Sequence, residues 1–139
     1  MIKTDTIKRG AKNGLNTVAE LAKVIIPVYF IITILKHTQV LSYVASYFEP
    51  LMKVFGLPGE AAIVLVLGNV LNIYAAIGVI ASLVLTAKQI TIIAVMLSFS
   101  HALPIETAVS KKIGVSVIVV VSIRIGLAIL SGLMMNLIL

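Results

Sequence analysis

Residues 61–87 read AAIVLVLGNVLNIYAAIGVIASLVLTA, and residues 113–139 read IGVSVIVVVSIRIGLAILSGLMMNLIL. The first run holds no charge over about 27 residues and the second only Arg124, whereas a helix crosses a bilayer with about 20 apolar residues. Strands of a membrane barrel alternate apolar and polar positions, but these runs are apolar on every face, so they read as helix. The rest of the chain agrees: 60% of the 139 residues are hydrophobic and 12% charged, against about 25% charged in soluble domains. With 5 acidic and 11 basic residues there is no polar shell to cover a core of this size, and lipid must cover it instead. The expected fold class is an all-α polytopic membrane protein.

The net charge of +6 comes largely from Lys3, Lys8, Arg9, Lys12 and Lys23. No basic and aromatic surface follows them, so they suit anionic cytoplasmic lipid rather than nucleic acid. Residues 1–14 are accordingly expected to form a basic cytoplasmic tail and residues 15–139 a single transmembrane domain. A signal peptide is the other reading of a basic start before an apolar run, but no small-residue cleavage site follows Leu35. The chain has no cysteine, which excludes disulfides, thiolate metal sites and a cysteine nucleophile.

From Leu15 to His37 the pattern predicts a first helix, kinked at Pro27. Thr38 to Phe55 mixes Leu41, Val44, Phe48 and Leu51 with Ser42, Ser46, Glu49 and Lys53, and is expected to lie flat on the membrane or dip into it. Phe55-Gly-Leu-Pro-Gly-Glu60 is a turn by composition, with a helix beginning near Glu60. The run that follows is longer than a simple span and contains Gly68, Asn69, Asn72 and Gly78, which calls for tilt, a break or a re-entrant turn, with a break near Gly68 to Asn72 favoured. Ile90 to Phe99 is about half a bilayer long before Ser100, His101, Pro104 and Glu106 interrupt it, predicting a discontinuous helix. Lys111, Lys112 and Gly114 form a polar hinge before the last helix, which runs nearly to Leu139 with no soluble tail.

Polar groups at membrane depth are costly and are therefore the candidate site. Arg124 either pairs with Glu60 or Glu106 along a pathway, or snorkels to lipid phosphate or a packing seam. Glu60 either faces a ligand at a hairpin tip or complements the dipole of the helix it begins. Asn69 and Asn72, one helical turn apart, either offer amides to a polar solute or hydrogen-bond between packed helices. His101 and Glu106 either meet around Pro104 near a ligand, or cap the interrupted helix and begin the next. Serine, histidine and carboxylate within residues 98–106 evoke a catalytic triad, but triad members come from separated elements and no nucleophile elbow surrounds either serine. No enzyme, cofactor or metal centre is expected; two candidate ligands do not make a metal site.

The proline-bearing VIIPVYFIITIL, the hairpin-like FGLPGEAAIVLVLGN, the glycine-bearing NIYAAIGVIASLVLT and the segment SFSHALPIETAVSKKIG together resemble the Gate, or nucleoside recognition, family. That family includes spore maturation membrane proteins, gate domains of ferrous iron permeases and the repeats of concentrative nucleoside transporters, and the likeness covers most of the chain. The resemblance implies a multi-pass protein of a bacterial or archaeal cell membrane, in which a re-entrant helical hairpin and a broken helix surround a polar solute. It places the nucleoside transporters' glycine-rich turn and solute-contacting glutamate on Gly56 to Glu60, where Leu57, Pro58 and Gly59 stand in place of the usual polar residues. The cysteine-bearing motif of the iron permeases has no counterpart here. A nucleoside transporter contains two such units in inverted orientation, so one copy is expected to pair with an inverted copy of itself or with a related partner chain. The function expected is transport of a small polar solute, nucleoside-like, or an ion, by a homodimer or larger assembly, at a ligand site of Glu60, Asn69, Asn72, His101 and Glu106. The alternative is a non-transporting membrane subunit or scaffold that acts with a partner protein, its polar residues serving as interhelical glue.

Overall fold

The computed structural model describes residues 4–139, apart from the side chains of Thr4 and Lys36; Lys3 of the basic segment lies outside the described residues. The order of helices is α1 (Thr4–Lys36), α2 (Gln39–Lys53), α3 (Ala61–Val70), α4 (Ile73–Ser82), α5 (Ala87–Ser100), α6 (Leu103–Lys112) and α7 (Val117–Ile138). Among the described residues, three stretches are long and apolar enough to cross a membrane: Asp5–Leu35, Ala87–Lys112 across the α5–α6 break, and Val117–Ile138. The chain is thus an all-helical membrane protein.

Helix α1 begins at Thr4 rather than Leu15, so the basic segment is helical where it is described. Asp5 in its first turn complements the N-terminal dipole, and Arg9 Nε donates to the Asp5 carbonyl at 3.3 Å. Its 33 residues are longer than a hydrocarbon layer of about 30 Å requires at 1.5 Å per residue. The turns carrying Lys8, Arg9 and Lys12, all exposed, therefore extend past it.

Helix α2 starts where the Thr38 hydroxyl accepts from the Val40 amide at 3.3 Å. It buries Leu41 and Met52 while Tyr43 and Tyr47 are exposed, so it is a short amphipathic helix, well below bilayer length. Helices α3 and α4 have 10 residues each, about 15 Å, and neither can span alone.

Where this segment goes is fixed at Asn136 near the end of α7. Asn136 Nδ2 donates to the Val54 carbonyl just after α2, at 3.2 Å, and Lys88 Nζ at the start of α5 donates to the Asn136 carbonyl at 3.1 Å. The chain between Val54 and Lys88 therefore leaves one end of α7 and returns to it. Gly56, at φ +68°, passes so close to the Asn136 amide that a Cβ there would collide with it, which is why a glycine makes this turn.

Helix α3 packs against α4 and α5, α5 against α7, and α1 against α4. Ile92, Ile93, Leu97, Val64 and Val79 are fully buried among them. Gly78 lets α4 approach α1, since an added Cβ would lie 2.9 Å from the Ile25 carbonyl oxygen and 3.2 Å from Val28 Cβ.

Candidate functional site

Two helix breaks face each other inside this packing. The first follows α3: Leu71 leaves helical geometry at φ −97°, ψ −86°, and Asn72, extended, restarts the chain as α4 by accepting from the Ala75 amide at 3.0 Å. This capping rotates Asn72 away from the face of α3 that carries Asn69, so the expectation that the two amides share a helical face gives way to one amide in α3 and one at the restart.

The second break follows α5. His101 is extended, Ala102 adopts the left-handed region at φ 52°, and Pro104 sits at the start of α6, where its missing N–H leaves no donor unpaired. The Ala102 amide donates to the Gly68 carbonyl at 3.0 Å, so the backbone freed at one break is satisfied by the other. The α3 backbone can come this close to α5 because Gly68 has no side chain; a Cβ there would lie 2.7 Å from Leu97 Cδ2. The junction stands about 20 Å along α5 from its Lys88 end.

Around the junction, His101 Nδ1 lies 2.9 Å from the Leu97 carbonyl. A carbonyl only accepts, so Nδ1 carries the proton in this geometry and Nε2 of the neutral ring is an acceptor. Arg124 of α7 reaches across, with Nη2 donating to the His101 carbonyl at 3.3 Å and Nη1 lying 3.3 Å from Glu106 Oε2. Of the readings open for Arg124, the structure has the pair with Glu106. Arg124 Nε and Asn69 Oδ1 are buried and have no hydrogen-bond partner among the described residues. Asn69 and the buried Ser100 line a cavity of ≈130 Å³ closed by Leu65, Met96 and Ala128. Asn69 also faces an adjoining, mostly apolar cavity of ≈250 Å³ lined by Phe48, Phe55 and Met96.

Glu60 stands apart. It precedes α3 at the opposite end from Asn69, about 13 Å away along the axis, and lines a separate groove with Ser46, Glu49 and Lys53. Its side chain makes no capping hydrogen bond to α3. The structure thus joins His101 and Glu106 through Arg124, sets Asn69 next to the Gly68 carbonyl that the Ala102 amide meets, keeps Asn72 at the cap of α4, and leaves Glu60 outside that group. No group of three or more His, Asp or Glu residues that could hold a metal occurs among the described residues. Sequence reasoning did not single out Asn136 or Ala102; the contacts that matter at both are between residues far apart in the chain.

Comparison with known proteins adds to this geometry. The model of the Gate family, described as nucleoside recognition, matches residues 18–116. The uncharacterized membrane protein YvoD of Bacillus subtilis is 48% identical over 129 residues, covering 93% of this chain and 41% of YvoD. The inner membrane protein YjiG of Escherichia coli K12 is 37% identical over 89 residues, covering 60% of this chain and 58% of YjiG. The chain therefore spans about half the length of these relatives. No solved structure matches.

Proposed function

The chain belongs to the Gate family of nucleoside recognition domains, and from that premise we propose that it is a transport subunit that takes a small polar solute, nucleoside-like, or an ion at the junction of its two helix breaks. The observation that carries this reading is the Ala102 to Gly68 hydrogen bond, which joins two interrupted helices beside an unpartnered amide oxygen and an ion pair. Irregular backbone and ionisable groups are tolerated at membrane depth where they line a binding cavity. In this reading α3 and α4 form a re-entrant hairpin, supported by their half-bilayer lengths and by the return of the chain to Asn136. Asn69, Asn72, His101 and Glu106 contact the solute, and Glu60 meets it on entry from the separate groove.

A single unit supplies one hairpin and one broken helix, so we take the working form to be a homodimer or a pair with a related chain, one half each of an inverted-repeat arrangement. The test is solute binding to purified, reconstituted protein across nucleosides and monovalent ions. Saturable binding of a solute that Asn69→Ala, His101→Ala and Glu106→Gln each weaken about tenfold or more, near 1.4 kcal/mol, supports the site. Binding that all three variants leave unchanged refutes it.

The second reading, a non-transporting subunit acting with a partner protein, is favoured by one observation: YvoD and YjiG carry substantial sequence beyond the matched region. Purification from native membranes separates the two. A stoichiometric partner with no solute bound supports the subunit reading, and a solute-binding homo-oligomer supports transport.

A further inference from the structure

At the second break a backbone carbonyl and a carboxylate converge on one guanidinium. The His101 carbonyl stands at the C-terminal end of α5, where unpaired carbonyls make the helix end partly negative. Glu106 stands in the first turn of α6. Unwound carbonyls and half-helix C-terminal ends of this kind are where broken-helix transporters hold a coupling sodium ion or proton. Here Arg124, from the neighbouring α7, puts Nη2 at 3.3 Å from the carbonyl and Nη1 at 3.3 Å from the carboxylate.

The geometry of the arginine is informative. A guanidinium paired with a carboxylate is frequently a two-point fork, with two N–H groups on the two oxygens. Arg124 instead gives one N–H to each acceptor and leaves Nε buried with no partner among the described residues. Its position is a compromise between two oxygens from different helices, which is how a bound cation is positioned. Arginine keeps its charge throughout, so a second cation at this point meets repulsion rather than an anionic site.

We propose that Arg124 is a tethered cation: its guanidinium fills, permanently and from within the chain, the seat for a free monovalent cation formed by the His101 carbonyl and Glu106. Holding both sides of the break, it fixes α6 relative to α5 without any ion from solution. The consequence for coupling rests on the nucleoside-like branch of the transport reading above: binding of a small polar solute by this protein is independent of sodium and potassium.

The test uses the full chain in detergent and reads its thermal unfolding midpoint in choline, sodium, potassium and guanidinium chlorides at equal ionic strength. Wild type is expected to melt at one temperature in choline, sodium and potassium. Arg124→Ala is expected to fall by on the order of 5 °C in choline, because Glu106 and the carbonyl lose their counter-charge. It should recover at least half of that loss in millimolar guanidinium or sodium. Adding Glu106→Gln to Arg124→Ala should abolish the recovery. If Arg124→Ala does not fold, Arg124→Gln, which keeps a donor for the His101 carbonyl but no charge, should show the same cation dependence. An arginine variant that responds to no cation, or a wild type with the same sodium-specific rise, overturns the proposal. No solute is needed, so a cation-responsive variant of a chain that binds no solute would leave this inference standing while the transport reading fell.

Discussion

Asn69 is the residue at which stability and the proposed function pull apart. Its amide oxygen is buried without a partner among the described residues, and an unsatisfied buried acceptor costs about 1–3 kcal/mol. Leu65, Met96 and Ala128 around it are apolar, so a leucine of similar size fits the surroundings better than the amide does. Asn69→Leu is expected to leave the unfolding midpoint unchanged or raised while reducing solute binding; a variant that melts well below wild type would show the amide to be packing glue instead. Ala102 carries the opposite kind of strain. At φ 52° a Cβ is unfavourable, so Ala102→Gly should gain about 0.5–1 kcal/mol and Ala102→Val should lose more than that, both read as shifts in unfolding midpoint. The polar residues of the site were visible in the sequence because charges and amides are rare in apolar runs. Which of them meet was not, since Glu106 could have faced Arg124, solvent or a cap with the same spacing.

At the scale of elements, both breaks were legible and for local reasons. The run 61–87 is too long for one straight span and holds Gly68, Asn69 and Asn72 in its middle, and Pro104 with its polar neighbours ends α5 as a proline should. The start of α1 at Thr4 was missed because lysines between glycines read as a tail, although lysine and arginine are good helix formers. The turn at Asn136 was illegible, since its partners Val54 and Lys88 lie 82 and 48 residues away. Helix packing also depends on Gly78, where α4 meets the α1 backbone. Gly78→Leu forces α1 and α4 apart and should cost about 3 kcal/mol or more, seen as a loss of folded protein on extraction; normal yield and melting would mean that this contact does not hold α1 in place.

In the proposed topology the three candidate spans among the described residues, α1, the α5–α6 pair and α7, cross the membrane, and α2 to α4 return to the end they leave. That topology would put Lys8, Arg9, Lys12, Lys111 and Lys112 on one side of the membrane and Lys36, Lys53 and Lys88, with Glu49 and Glu60, on the other. Basic residues collect on the cytoplasmic side, so in the proposed topology the start of α1 faces the cytoplasm, and the inverted second unit is a related chain of opposite charge bias more readily than a second copy. The central claim is that residues 57–86 enter and leave on the same side. Because the chain has no cysteine, single cysteines at Lys12, Lys53, Lys88 and Lys112 can be labelled from each side of sealed membranes with an impermeant reagent. The account predicts that Lys53→Cys and Lys88→Cys label from one side and Lys12→Cys and Lys112→Cys from the other; labelling of positions 53 and 88 from opposite sides would contradict it.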